Sequence, residues 1–165
     1  MSEPQPAPAP EEIGILTRRR IEAEIIAPIY DELKQQIGAP AAQALLRRAI
    51  RRAAIRAGEQ LAAATPGDAN LLTFQDIQRL WTKDDALQVE VLRATPEAYD
   101  IDIRRCRYAE TYRAMGLSEI GAVLSCERDG AFCEGYHPRI KLARTQTIMQ
   151  GADHCDFRYR FEPES

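Results

Sequence analysis

Long hydrophobic runs are missing from this 165-residue chain, and so is any excess of positive charge. Its apolar runs are only a few residues long, whereas a helix that crosses a membrane needs about 20. The formal net charge is -3, which gives no general attraction to nucleic acid or anionic lipid. We therefore expect neither a membrane nor a nucleic acid as a partner.

A secretion signal is also missing, because the chain opens with Met1-Ser2-Glu3 rather than with a basic segment followed by an apolar one. We expect a cytoplasmic protein in a reducing compartment. Cysteine is scarce, and each of the four is expected to be a free thiol. They are Cys106, Cys126, Cys133 and Cys155.

The length and the composition suit one compact domain, since 45% of the residues are hydrophobic and 28% are charged. Residues 1–11 are rich in proline and alanine, which predicts a disordered tail. Residues 12–165 are expected to form the domain, and no internal repeat is visible.

The first half of the domain, residues 12–82, has helical periodicity. Apolar residues at every fourth position predict an amphipathic helix over 13–37, with a kink or break just before Pro28. A second helix is predicted after Gly38, ending near Ala64, and a third over Phe74 to Trp81. One face of the second helix carries an arginine stripe, which we interpret as a solvated surface. The stripe consists of Arg47, Arg48, Arg51, Arg52 and Arg56.

The second half, residues 85–161, alternates between apolar and polar positions on either side of a helical segment. Leu87 to Ile103 predicts one hairpin, and Ile140 to Phe161 predicts another. The fold class expected is α+β, with N-terminal helices packed on an antiparallel sheet of two hairpins and a helical insertion between them.

Six sequence blocks in this second half carry a family resemblance. They are Arg105–Glu110, Met115–Leu117, Leu124–Asp129, Gly135–Pro138, Leu142–Met149 and Gly151–Phe157. In this order and spacing they resemble the L-2-amino-thiazoline-4-carboxylic acid hydrolase-like family, over roughly residues 85–161. The resemblance implies a hydrolase that opens a small nitrogen-containing ring, with a small-molecule substrate. A homo-oligomer is compatible with it.

Such ring opening needs a nucleophile, a proton donor and an anchor for the substrate carboxylate. Cys126 is the leading candidate for the nucleophile, because a thiolate attacks an amidine-like carbon well when its pKa is lowered. If residues 117–132 form one helix, Asp129 lies on the same face as Cys126.

A strand that carries His154, Cys155 and Asp156 alternates its side chains between two faces. Either Cys155 or the pair of His154 and Asp156 is therefore expected in the site, unless a bulge alters the alternation.

The substrate-binding candidates are Tyr108, Glu110, Arg144 and Thr145. Tyr108 and Glu110 could supply a hydroxyl and a carboxylate to the same pocket, or they could merely cap the sheet. Arg144 is predicted on the same strand face as the apolar Ile140, Leu142 and Ile148, so it needs an anionic partner. That partner is either the substrate carboxylate or one of the acidic side chains Asp129, Asp156 and Glu110.

Three alternatives stay open at this stage. The pocket could bind or sense a small molecule without turnover. Cysteine, aspartate and histidine side chains could hold a catalytic zinc ion, but the chain has no CxxC or HxxxH pair, so we expect no cofactor and no metal. The arginine stripe could instead dock a partner protein.

Overall fold

A computed structural model describes residues 13–164. The predicted tail, residues 1–11, lies outside this described range. Within it, no helix is both long and apolar enough to cross a membrane.

The N-terminal half consists of helices. They are α1 (Ile15–Ile37), α2 (Ala39–Ala64), α3 (Leu71–Ile77) and α4 (Arg79–Thr82), with a 3-10 turn at Lys83–Asp85. Helix α1 continues through Pro28 without a break. The proline removes one backbone donor, but Pro28 and Glu24 are both exposed, so water can solvate the carbonyl left unpaired at Glu24.

The second half forms an antiparallel sheet in the order β1-β2-β4-β3. Its strands are β1 (Leu87–Ala94), β2 (Ala98–Cys106), β3 (Ile140–Ala143) and β4 (Cys155–Phe161). Strands β1 and β2 form one hairpin, β3 and β4 form the other, and β2 pairs with β4 between them. The helical insertion comprises α5 (Arg107–Ala114), α6 (Gly121–Leu124) and α7 (Arg128–Tyr136). The predicted α+β fold is confirmed.

The prediction of one helix over residues 117–132 is wrong. Helix α6 ends at Leu124, where Ser125 has the non-helical angles φ -128° and ψ -71°. The Arg128 side chain then donates from Nε to the Leu124 carbonyl oxygen at 2.7 Å, which satisfies a carbonyl group at the end of α6. The chain therefore turns over residues 125–127 before α7 begins.

The helices cover one face of the sheet. Alternate residues of β2, among them Tyr99, Ile101 and Ile103, are buried in a core shared with α3 and α7. Aromatic rings fill much of this core, with Phe74 and Tyr159 centred 5.0 Å apart and Trp81 also 5.0 Å from Phe132. A cavity lies beside these rings.

Two glycines allow α2 and α7 to pack backbone against backbone. A Cβ atom at Gly58 would lie 2.6 Å from the Tyr136 nitrogen, and one at Gly135 would lie 2.8 Å from the carbonyl carbon of Ile55. Two members of the arginine stripe reinforce the same contact, because Arg47 pairs with Glu127 and Arg51 with Glu134, each at 2.5 Å. The stripe thus partly serves the contact between α2 and the helical insertion.

Replacing Gly135 with alanine should destabilise the fold, because the new methyl group would force α2 and α7 apart. We expect a loss of about 1–3 kcal/mol in the free energy of unfolding, measured by urea titration. Gly130→Ala is the matched control, since it lies in the same helix and a Cβ there would meet nothing within 4 Å. Alanine at that position should be neutral or stabilising by up to about 1 kcal/mol. Equal stability of the two variants would contradict the close-packing account.

Candidate active site

A cavity of about 90 Å³ lies between the helices and the covered face of the sheet. Its apolar wall combines aliphatic side chains with six aromatic rings, those of Phe74, Trp81, Tyr108, Phe132, Phe157 and Tyr159. Three thiols, those of Cys106, Cys126 and Cys155, also line it. The charged side chains in the wall are Arg19, Arg128, Asp129 and Arg144. A wall of aliphatic and aromatic side chains with a few charged groups is typical of a small-molecule site.

Asp129 and Arg144 form an ion pair in this wall. The Arg144 guanidinium donates to the Asp129 carboxylate at 2.6 Å and to the Cys126 carbonyl oxygen at 3.0 Å, and it stacks 4.8 Å from the centre of the Phe157 ring. Burial raises the pKa of Asp129 more than Arg144 lowers it. A quarter of the Asp129 side chain remains accessible, and because the residue lines the cavity, a bound molecule could reach its carboxyl group.

The three cavity thiols are not poised as thiolates. Burial strongly raises the pKa of Cys126, and the nearby Asp129 carboxylate raises it further. Burial likewise raises the pKa of Cys106 to about 11 and also raises that of Cys155. None of the four cysteines forms a disulfide bond. At neutral pH these thiols are therefore protonated.

A second charged group lies where α1 meets the start of α7. Glu22 bridges Arg19 at 2.9 Å and Arg128 at 3.0 Å. Burial and the charge of Arg19 lower the pKa of Arg128 to about 10. Nearby, the Tyr112 hydroxyl is the one side-chain polar atom in residues 13–164 that is buried without a hydrogen-bond partner. The cavity wall and this cluster together contain three arginines, Arg19, Arg128 and Arg144, and two carboxylates, those of Glu22 and Asp129.

Of the predicted substrate-binding residues, Tyr108 and Arg144 line the cavity. Tyr108 donates its hydroxyl to the Trp81 carbonyl oxygen at 3.1 Å, and burial raises its pKa. Glu110 is exposed and pairs with Arg105 at 2.8 Å. The expectation that Tyr108 and Glu110 share a pocket is wrong, because residues two apart on a helix point about 200° from one another.

Thr145 and Asp156 lie together outside the cavity wall. The Asp156 carboxylate accepts hydrogen bonds from the Thr145 amide and hydroxyl, at 2.9 and 2.5 Å, and from the Gln146 amide at 2.9 Å. These bonds outweigh burial and lower the pKa of Asp156. The arrangement fixes the start of the loop between β3 and β4, the loop that begins with Arg144.

His154 also lies away from the cavity. Its Nδ1 atom is 2.6 Å from the Asp153 carboxylate, and its Nε2 atom is 3.8 Å from Asp102 on the uncovered face of the sheet. Strand alternation thus separates His154 and Asp156 from Cys155, which does line the cavity. In the described part of the chain, no group of three or more His, Cys, Asp or Glu side chains is placed to hold a metal ion.

Sequence reasoning missed two arginines of the cavity wall, Arg19 and Arg128. Arg128 stands inside the block from Leu124 to Asp129, so its place in the motif was a usable signal. Arg19 carried no such signal, because it is one of three consecutive arginines on an amphipathic helix. The aromatic wall was equally hidden, since its rings come from five separate elements.

Comparison with known proteins places the chain in a family. The family profile described as L-2-amino-thiazoline-4-carboxylic acid hydrolase matches residues 18–159. No curated protein matches the chain.

Two solved structures resemble the chain at low identity. The phenol-responsive sensory domain of the transcription activator PoxR, solved with phenol, has a TM-score of 0.53 and 12% identity, and the match covers 82% of this chain and 72% of that one. A trafficking protein particle complex subunit 3 from Naegleria fowleri, covalently bound to palmitic acid, has a TM-score of 0.48 and 13% identity, over 87% of this chain and 97% of that one. The first likeness concerns the fold alone, and the second is too weak to support an argument. The family match covers most of the chain, which therefore belongs to the L-2-amino-thiazoline-4-carboxylic acid hydrolase family.

Proposed function

We propose that the chain is a hydrolase that opens a small nitrogen-containing ring in the aromatic cavity, with Asp129 as the general acid and base. The observation that carries the proposal is the Asp129 carboxyl group, which lines the cavity, has a raised pKa and is held by Arg144. A carboxyl group with a pKa shifted toward neutrality suits proton transfer in both directions. The proposal requires no cofactor.

In this reaction a water molecule attacks the ring carbon that lies between two heteroatoms. Asp129 takes a proton from the water as the new carbon–oxygen bond forms. The bond from the same carbon to a ring heteroatom then breaks, and Asp129 returns the proton to that heteroatom. One water molecule is consumed, and the carboxylate is restored. Arg144 keeps Asp129 in position through its bonds to both the carboxylate and the Cys126 carbonyl group.

The cavity wall also indicates the kind of substrate. Aromatic side chains favour a flat ring, and the cavity volume of about 90 Å³, below the roughly 150 Å³ of a cavity known to hold benzene, limits the substrate to a small ring. The three arginines exceed the two neighbouring carboxylates by one charge. An anionic substituent on the ring, such as a carboxylate, would balance that charge beside Arg19 and Arg128.

Two substitutions separate this mechanism from one that uses Cys126 as a nucleophile. Asp129→Asn keeps the shape of the side chain but removes its basicity, and we expect a loss in kcat of about 10²–10⁴-fold. Cys126→Ala should stay within about tenfold of the wild type, because its protonated thiol takes no part in bond formation. Both are measured with aminothiazoline carboxylate and related cyclic amidines, following ring opening by mass spectrometry. Inactivity of Cys126→Ala in a folded protein would favour the thiol mechanism instead.

The pH dependence of kcat/KM should report the Asp129 carboxyl group. A general base acts only when deprotonated, so activity should rise as the pH increases through the pKa of Asp129. Burial raises that pKa above the ordinary aspartate value of 3.8, so the rise should have its midpoint at a higher pH than an exposed aspartate would give. The residual activity of Asp129→Asn should lack this rise. A midpoint at the ordinary aspartate value would contradict the assignment.

Binding of the anionic substituent should depend on Arg128. We expect Arg128→Gln to raise KM about tenfold or more, because a charge-assisted bond to the substrate is lost, while kcat changes less. The wild type should prefer a carboxylate substrate to its neutral amide analogue, and Arg128→Gln should lose this preference. Arg47→Gln removes an arginine that is half-exposed and pairs outside the cavity wall, and serves as the matched control. An unchanged preference in Arg128→Gln would place the anion elsewhere.

A second candidate function is small-molecule binding without turnover. Two observations favour this function: the three cavity thiols are protonated, and Asp129 is engaged in an ion pair. None of these four groups is therefore both ionised and free to act as a nucleophile or base. A phenol-responsive domain shares the fold, which is compatible with a binding role but does not establish one. Saturable calorimetric binding of a ring compound, with no product after long incubation, would favour this function over hydrolysis.

A further inference from the structure

A row of isoleucines lies exposed along α1. Ile21, Ile25 and Ile29 follow at four-residue intervals and are 50%, 63% and 54% exposed. They are three of the eight large hydrophobic side chains that are exposed in residues 13–164. Buried residues of the same helix, Ala23 and Tyr30, pack toward the core instead. Contiguous exposed apolar side chains of this kind mark an interaction surface.

Two charged residues flank this row symmetrically. Arg18 lies seven residues before Ile25, and Glu32 lies seven residues after it. Seven residues are two helical turns, about 10.5 Å, so both charges fall on the side of the helix that carries the row. Glu32 makes no ion pair among residues 13–164, and both Arg18 and Glu32 are exposed.

We propose that α1 binds α1 of a second copy of this chain in an antiparallel arrangement, with a two-fold axis passing beside Ile25. In such a contact Ile25 meets Ile25 of the second copy, and Ile21 meets Ile29. Arg18 of each copy lies opposite Glu32 of the other, so the symmetry produces two ion pairs. A two-fold contact requires a self-complementary surface, and this row has that property in both its apolar residues and its charges.

A second copy fits the row better than the N-terminal segment of the same chain. Residues 1–12 contain proline, alanine, glutamate, glutamine and serine, and Met1 is their only large apolar residue. They offer little to cover three isoleucines. From Arg18 to Glu32 the row is about 21 Å long, and one helix pair of that length buries less than the roughly 1,200 Å² of a stable interface. We therefore expect a weak, concentration-dependent dimer.

This inference does not rest on the proposed hydrolysis. The row lies on the exposed side of α1, whereas Arg19 and Ile15, on the other side, line the cavity. The dimer can therefore be tested without a substrate.

Sedimentation velocity over a concentration series of the full chain tests the proposal directly. We expect a monomer–dimer equilibrium whose dissociation constant increases at least about tenfold in Ile25→Glu, because two carboxylates would meet at the axis. Leu72→Glu is the control, since Leu72 is exposed to a similar degree, 47%, but lies on α3. It should leave the constant unchanged. A wild type that stays monomeric, or a dimer that Ile25→Glu leaves intact, would overturn the proposal.

Charge exchange tests the register of the two helices. Arg18→Glu alone and Glu32→Arg alone should each weaken the dimer, because each places like charges opposite one another twice. The double variant should recover the wild-type constant to within about threefold, since the ion pairs are restored in reverse. Additive weakening in the double variant would exclude the antiparallel register.

Disulfide cross-linking distinguishes a specific contact between two α1 helices from a loss of dimer caused by unfolding. Cysteine at position 25 should form a disulfide-linked dimer on mild oxidation. Ile21→Cys and Ile29→Cys should cross-link when mixed with each other, more readily than either does alone. The wild type gives the background rate, since two of its four native thiols, those of Cys106 and Cys126, are only partly buried. Deleting residues 1–11 should leave dimerisation unchanged, and a dimer that forms only after the deletion would show that this segment covers the row.

Discussion

The ion pair between Asp129 and Arg144 joins the helical insertion to the loop that follows β3. Asp129 belongs to the first turn of α7, whereas Arg144 begins the loop between β3 and β4. The bond from Arg144 to the Cys126 carbonyl group adds the turn between α6 and α7 to the same junction. A buried charge pair is costly to leave half-paired, so both segments must be in place before either charge is stabilised. The cavity wall depends on this junction because all three segments contribute to it.

The low polarity of the cavity wall affects the ionisation of Cys126 and of Asp129 in different ways. Burial makes ionisation of a thiol unfavourable, and a neighbouring carboxylate makes it more so, which is the situation of Cys126. Burial also makes ionisation of a carboxyl group less favourable, and this moves Asp129 toward the range in which it can exchange protons. The same surroundings therefore raise the pKa of Cys126, which sequence reasoning favoured as the nucleophile, and of Asp129 in the same block.

Local patterns predicted the fold well. Four-residue spacing in α1, alternation in β2 and β4, and the turns between them are properties of short segments, and the chain realises them in the expected order. The sequence could not show that Ser125 leaves the helical region, because that break depends on Arg128 reaching back to Leu124. Strand alternation correctly predicted that Cys155 and His154 lie on opposite faces, and Cys155 is the one that lines the cavity. The contact of Glu22 with Arg128 could not be predicted from the sequence, since the two residues lie 106 positions apart.

The helices cover one face of the sheet, and charged side chains cover the strands on the other face. Asp100 and Asp102 are 8% and 6% exposed, yet no helix shields them. Arginines of strands β1, β2 and β4 do so instead, with Arg160 and Arg93 on Asp100 and Arg158 and Arg104 on Asp102. The aliphatic parts of these arginine side chains pack over the strands, while their guanidinium groups remain accessible to solvent. These ion pairs cover the strands in place of a second layer, and six of the seven α-helices in residues 13–164, all but α6, contribute side chains to the cavity wall on the other side.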